Sequence, residues 1–529
     1  FALRVPAVTA QQVPFDVRLE ALDIPELPGV QSFAWGHHQQ YWVIIGGRSD
    51  GLHRRQPPVT FDVPGHNTQI IVVDPLEKKR WTAPLSVLPA EIREPLSATN
   101  MQFHQIGEYL YLIGGYGYSA TEGDHTTYPS LTAVHVPALI GAVRNGEAYA
   151  HLFRQVRDAR FAVTGGYLGQ IGDTLCLVGG QRFEGRYNPM GPDHGPGFEQ
   201  EYTNAIRRFL LNDDGVNPVV THLPELYDSL LLHRRDYNVV AQIMPDGREG
   251  LTAFSGVFQY AADVPWLDAV NITSEGYALQ PGFTQYYNHY HCANIPLFSA
   301  EKQAMHSVFF GGIAQYYEEN GVLVQDDEVP FVRTIARVSR DASGNMAEYR
   351  LPLEMPALLG AGSEFIPAPG LPRYGNGVVD LDALGTADTI LLGYIFGGIE
   401  SSAPNIFFIN DGTQSEASPR VYRVWLHKEV SSNLHALNAQ SVGTLGLQIL
   451  PNPSDGDFGI RFHLARRERV MLRVYDPNGK ALLSEALEDA DQGENTFRIW
   501  LRGQDGGGIN LVVLETSGET ATQKVIIHP

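Results

Sequence analysis

Side chains able to do chemistry are sparse in this chain. His289 and His291 form an H-x-H pair. On a strand both would point to one side, where two neutral imidazoles can hold a transition metal once a third ligand arrives from another element. The competing reading is two histidines hydrogen-bonded inside the fold, and no metal or other cofactor is assigned. His37-His38 are adjacent, point opposite ways and read as structural. The carboxylates at Asp213-Asp214, Asp326-Asp327-Glu328 and Asp380–Asp388 lack the spacing of a calcium loop and read as solvated turns. No Gly-rich phosphate loop, G-x-S-x-G elbow, H-E-x-x-H or C-x-x-C pair occurs.

Two further groups of residues recur with the pattern of the chain. Short apolar runs starting at Thr99, Tyr237, Tyr290 and Gly375 align so that Asn100, Asn238, His291 and Asn376 share one position, with Gly165 and Ala34 in two more runs. Arg235 and Arg373 each stand three residues before their asparagine. A polar side chain at the start of a repeated strand ties to neighbouring backbone, because unpaired polar groups there are costly, or it contributes to a polar ring at a channel mouth. The second group, Arg48, Arg54, Tyr116, Tyr118, Arg182, Tyr187, Tyr260, Trp266, Tyr316 and Tyr317, lies in loops. Arginine and aromatic residues are favoured on recognition surfaces; the competing reading is that long loops pack their own aromatics to stay ordered.

The elements that must position these residues are repeats. YWVIIGG (Tyr41–Gly47), YLYLIGG (Tyr109–Gly115), TLCLVGG (Thr174–Gly180), GLTAFSG (Gly250–Gly256), HSVFFGG (His306–Gly312) and GYIFGG (Gly393–Gly398) recur at intervals of 56 to 86 residues. Each is a strand apolar on both faces, ending in glycines that allow crowding or positive φ. This pattern, with Ile70–Asp74 and Trp81 completing the first copy, resembles the kelch repeat. The resemblance implies an all-β, six-bladed kelch-like β-propeller over residues 11–428. VYRVWLH (Val421–His427) has no following strand, whereas FDVRLEAL (Phe15–Leu22) alternates with period two; the N-terminal strand is expected to complete the last blade and close the ring.

Residues 429–445 read as a linker and 446–529 as a small C-terminal β-sandwich, with dense turn signals between short strands. PNPSDGDF, VYDPNGK, GEN and the terminal QKVII, in that order, resemble the type A sorting domain of type IX secretion. That resemblance implies export through the type IX machinery, acting on 446–529, to the outside of the cell or its outer surface. Residues 1–10 end in Val8-Thr9-Ala10 and read as a possible signal-peptide remnant. No stretch reaches the roughly 18 apolar residues of a membrane helix. The formal charge of −21, with no basic run, argues against nucleic acid. The two cysteines, Cys176 and Cys292, read as small buried hydrophobes rather than a disulfide.

The first functional expectation is a secreted or cell-surface binding or scaffold propeller, not an enzyme, that recognises a glycan or a surface protein through its loop face. The alternative is a carbohydrate-active enzyme, epimerase- or mutarotase-like as the kelch resemblance allows, with Arg235, Asn238, His291, Arg373 and Asn376 at the channel mouth. A flat aromatic face favours the first; polar groups converging in a deep central pocket favour the second. A sealed mouth favours a purely structural role.

Overall fold

The computed structural model describes residues 15–319 and 322–428 and, with gaps, 436–527. The expected signal-peptide remnant, nearly all of the expected linker, and the Pro451-Asn452-Pro453 and Pro477-Asn478-Gly479 turns lie outside the described residues. The chain divides into two compact units, Phe1–Ala436 and Leu437–Pro529.

The first unit is a six-bladed propeller. Its inner strands are Ala34–His38, Gln102–Ile106, Tyr167–Ile171, Asn238–Ile243, Asn294–Ser299 and Ser363–Pro367, one to a blade. Each pairs antiparallel with a glycine-terminated second strand, and two more strands complete the sheet. In blade six the outermost strand is Asp16–Leu22, paired antiparallel with Val421–His427 from Asp16 opposite His427 to Leu22 opposite Val421. The two ends of the unit are thereby joined, as the alternation in Phe15–Leu22 predicts.

Six apolar cores, one between each pair of neighbouring blades, complete the circle. Blade one meets blade two through Val43, Ile45 and Val72 against Leu110, Leu112 and Val134. It meets blade six through Trp42, Ile44 and Val73 against Tyr394 and Phe396. This is why the second strands are apolar on both faces: alternate residues serve different cores. The glycine pairs have an equally local cause. The chain entering the next blade crosses the end of the second strand, so a Cβ on Gly114 would lie 2.0 Å from the Val163 carbonyl oxygen, and one on Gly311 2.0 Å from that of Leu359. Both glycines also have positive φ, 66° and 63°.

One sequence expectation fails here. The sixth inner strand is Ser363–Pro367, not the run at Gly375. Residues 375–379 belong to the connection 368–388 that follows it, where the other blades turn within a few residues.

The second unit is a β-sandwich. One sheet holds Gln448–Leu450, Asp457–Leu464 and Gly493–Trp500; the other holds Ala481–Ala490, Glu468–Tyr475, Gly508–Glu515 and Thr520–Ile527 in spatial order. Phe458, Ile460 and Phe462 face Val470, Leu472, Val512 and Leu514 in its core. Among the described residues no helix is long and apolar enough to cross a membrane.

Candidate functional site

Immediately before each inner strand, one residue turns toward the propeller axis, and these six residues are joined into a closed circuit of backbone hydrogen bonds. The Ser32 N–H donates to Gly362 O (2.8 Å), Gly362 to His291 O (2.7 Å), His291 to Asp236 O (3.4 Å), Asp236 to Gly165 O (2.8 Å), Gly165 to Asn100 O (3.2 Å), and Asn100 to Ser32 O (3.0 Å). Ser32, Asn100, Gly165, Asp236 and Gly362 all have φ between 49° and 71°. Asn100 Nδ2 donates to Asp236 Oδ1 (3.3 Å) over the side-chain-free Gly165.

The repeated position expected at this mouth is therefore real in Asn100, Gly165 and His291, and displaced elsewhere. Asn238 and Ala34 lie two residues past the ring residues Asp236 and Ser32. Asn238 works between blades: its Nδ2 donates to His289 O (2.6 Å) and its Oδ1 accepts from Cys292 N (3.0 Å). Arg235 sits on the loop side, donating from Nε to the Tyr202 hydroxyl (3.0 Å), paired with Asp236 and stacked on Phe258. Arg373 and Asn376 are at the opposite end of the channel, because the sixth inner strand precedes them. The five residues do not form one constellation.

Between the ring and the face carrying the inner hairpins lies a cavity of about 890 Å³. Inner-strand residues of all six blades line it, together with the exposed turn glycines Gly107 and Gly172 and the blade-six residues Arg373–Gly377. Its wall carries Trp35, Phe103, Tyr167, Phe365 and Tyr374, and between them the polar groups of His37, Gln105, Gln170, Asn238 and Asn294. Near the ring, His291 Nε2 and Glu364 Oε1 are 2.8 Å apart, and Trp35 Nε1 donates to Glu364 Oε2 at 3.3 Å. Burial opposes charge on His291, but the Glu364 carboxylate, with Asp236 behind it, outweighs burial and raises the imidazole pKa above its ordinary value. His37, on the same wall, is lowered to about 4 by burial, with Arg373 and His38 adding to the effect. The cavity thus holds one imidazole biased toward its cation, His291, and two biased toward the neutral form, His37 and His104, the latter also lowered by burial.

The candidate H-x-H metal pair does not converge. His289 is buried, stacked on Phe309, with Nδ1 2.6 Å from Gly311 O, while His291 faces the channel. The segment is not a strand, so the period-two argument does not apply. Among the described residues no cluster of three His, Cys, Asp or Glu side chains could hold a metal ion. Both cysteines are buried and free.

The loop-face residues are bound largely to neighbouring loop groups. Arg48 is 1% exposed and pairs with Asp50 and Asp62; Tyr116 is 4% exposed and donates to Gly185 O (2.8 Å). These two are corrected from surface contacts to buried braces. Arg54 bonds Asp62 (3.3 Å), Arg182 bonds Glu184 (3.2 Å), and Tyr118 packs on His125. Trp266 donates to His233 O (2.9 Å), and Tyr260, itself exposed, stacks on His233 at 4.0 Å. Tyr316 and Tyr317 lie half-buried on a hairpin, with the Tyr316 hydroxyl on Gln325. His53 touches both Tyr187 and Phe407, so loops of blades one, three and six meet.

The sequence reading missed Glu364, Trp35, Phe103, Tyr167, Phe365 and Asn294. Each lies two or three residues beyond the ring position of its blade, a spacing that shows only once the ring is known.

Residues 448–528 match the family described as the secretion system C-terminal sorting domain. No curated protein matches the chain. Among solved structures, one described as the structure of YjhT shares 9% identity over 76% of this chain and 99% of its own, with a TM-score of 0.40. A RAG complex with one melted and one unmelted RSS gives 11% identity, 78% and 99% coverage and 0.35. A family 43 arabinoxylan arabinofuranohydrolase from Bacillus subtilis in complex with cellotetraose gives 10%, 94% and 95%, and 0.24. Likenesses this distant carry no functional argument. The sorting-domain match does: it marks the chain as one exported by the type IX system to the cell surface or the extracellular space.

Proposed function

We propose that the protein is a kelch-type propeller that binds a saccharide in its central channel, entered from the hairpin face, after the export machinery has recognised residues 446–529. The observation that carries this reading is the wall of the cavity. Trp35, Phe103, Tyr167 and Phe365 alternate there with amide and imidazole groups, a combination suited to stacking on sugar faces while bonding hydroxyls. The loop face supports it less, because its aromatic and arginine side chains are mostly engaged with neighbouring carboxylates, backbone carbonyls and histidine rings. A second reading, a carbohydrate-active enzyme of epimerase or mutarotase type, is favoured by one feature, the His291–Glu364 pair in the cavity, which has the reach for proton transfer.

The test is a saccharide array probed with the full chain, Trp35→Ala, Phe103→Ala and Tyr260→Ala. Binding lost in the two channel variants and kept in Tyr260→Ala supports the proposal. The reverse pattern returns recognition to the loop face, with a glycan or a surface protein as partner.

A further inference from the structure

The channel is bounded differently at its two ends, and the difference restricts what can occupy it. At the loop end stands the hydrogen-bonded ring. Six residues paired edge to edge at the spacing of neighbouring strands make a hexagon about 10 Å across between opposite backbones. The atoms' own radii leave about 6 Å of that, before the bonded Asn100 and Asp236 side chains are counted. Beyond it Arg235 lies packed on Tyr202 and Phe258.

At the hairpin end the boundary is the blade-six connection 368–388. It leaves blade six and pairs Val379-Asp380 in parallel with Leu297-Phe298 of blade five. Its tip, just before that pairing, reaches blade four, where Asn376 Nδ2 donates to Gln242 O (3.0 Å). Tyr374 packs edge-on against Phe298, and the tip is a tight turn, with the Tyr374 and Gly377 N–H groups donating to Val378 O and Tyr374 O. Arg373 through Gly377 line the cavity, so the segment is a strap laid over three of the six blades at the entrance. Connections of this length with so little secondary structure, here only the two-residue strand Val379–Asp380, are uncommon in compact domains and are usually functional.

Resting on the channel reading above, we infer that the cavity accepts a free small saccharide or the terminal unit of a chain, end-on, and that the 368–388 strap sets this restriction. A polymer cannot thread through, because the ring stops it. It cannot lie across the cavity by its middle, because the strap covers the entrance over blades four, five and six.

Two experiments separate the failure of this inference from the failure of the channel reading. The first needs no ligand. Asn294→Cys in the full chain places a thiol far inside the cavity, with Phe103→Cys as a second site should the first fail to fold. The native thiols are buried, and burial pushes Cys292 up to about 12. A maleimide on the end of a linear oligosaccharide is expected to react within threefold of the rate of N-ethylmaleimide, and a maleimide on a cyclodextrin at least tenfold more slowly. Asn376→Ala, which unlatches the strap, is expected to raise the cyclodextrin rate several-fold. Equal rates for linear and cyclic reagents in the unmodified strap overturn the inference, as does an unchanged cyclodextrin rate in Asn376→Ala. The second experiment is the array itself. Hits sharing a terminal unit support end-on binding, and hits sharing only an internal unit refute it. An array with no hits removes the saccharide reading and leaves the labelling result standing on its own.

Discussion

Glu348, on the fourth strand of blade five, is wholly buried. One carboxyl oxygen accepts from the Tyr286 and Tyr287 N–H groups at 2.7 and 3.2 Å, and the other has no partner. Burial pushes its pKa up from 4.5 to about 8, against the pull of the two N–H groups. The sign follows: the group favours folding in its protonated form, so its contribution is complete below pH 4.5 and is lost as pH rises through 8. At about 1.4 kcal/mol per unit the full swing is about 5 kcal/mol, of which about 3.5 falls between pH 5 and pH 8. For a unit of roughly 400 residues that corresponds to about 4 °C in Tm. Glu348→Gln keeps an oxygen for the two N–H groups and removes the charge. Differential scanning calorimetry of both proteins across pH 5–8 is expected to show the variant gaining on the wild type by about 4 °C as pH rises. Parallel curves would refute the assignment of Glu348 as an unpaired buried acid.

Three further outcomes are expected. In Glu364→Gln, burial acts on His291 against Asp236 alone, so the imidazole should titrate lower than in the wild type, as ring-proton NMR against pH will read; in the wild type the stability from this pair is present below pH 6.5 and lost as pH rises through the raised value. Arg337 is wholly buried over Phe15 and Tyr349, with no hydrogen-bond partner on any nitrogen and its pKa lowered to about 10 by burial. Arg337→Met should therefore raise unfolding free energy by about 1–2 kcal/mol in urea titrations, and a loss would show that the two ring contacts outweigh desolvation. Gly362→Ala puts a Cβ at φ 71° and 2.6 Å from Ser32 Oγ, and should cost about 2–4 kcal/mol by the same measurement.

Much of this architecture is legible in the sequence, and the failures have local causes. The glycine-terminated strands read correctly because two constraints coincide in one short window: burial on both faces, then a crossing chain that tolerates no Cβ. The closing strand reads correctly because Val17, Leu19 and Ala21 alternate with charged residues while blade six visibly lacks its fourth strand. The sixth inner strand misreads because Gly375–Asp380 mimics the expected spacing to Gly397-Gly398, whereas SEFIP at 363–367 is separated from its partner by the 368–388 strap. That single misplacement hides Glu364 and moves Arg373 and Asn376 to the wrong mouth. The ring itself leaves little trace, being made of backbone; its members Ser, Asn, Gly, Asp, His and Gly share no side-chain chemistry, and five of them share only a positive φ.

That choice of backbone over side chains has a consequence for where function can reside. Holding Ser32, Asn100 and Asp236 at φ near 50° costs of order 1 kcal/mol each, and the six N–H···O bonds, each worth about 1 kcal/mol net, offset it. A mouth stopped largely by main chain needs few inner-strand side chains to plug the axis. Trp35, Phe103, Tyr167 and Glu364 are packed or bonded along one edge and left partly exposed to the lumen. The strain at one end of the channel and the free polar and aromatic surface along it are two parts of one arrangement. They support placing the proposed site on the hairpin side of the ring rather than among the loops beyond it.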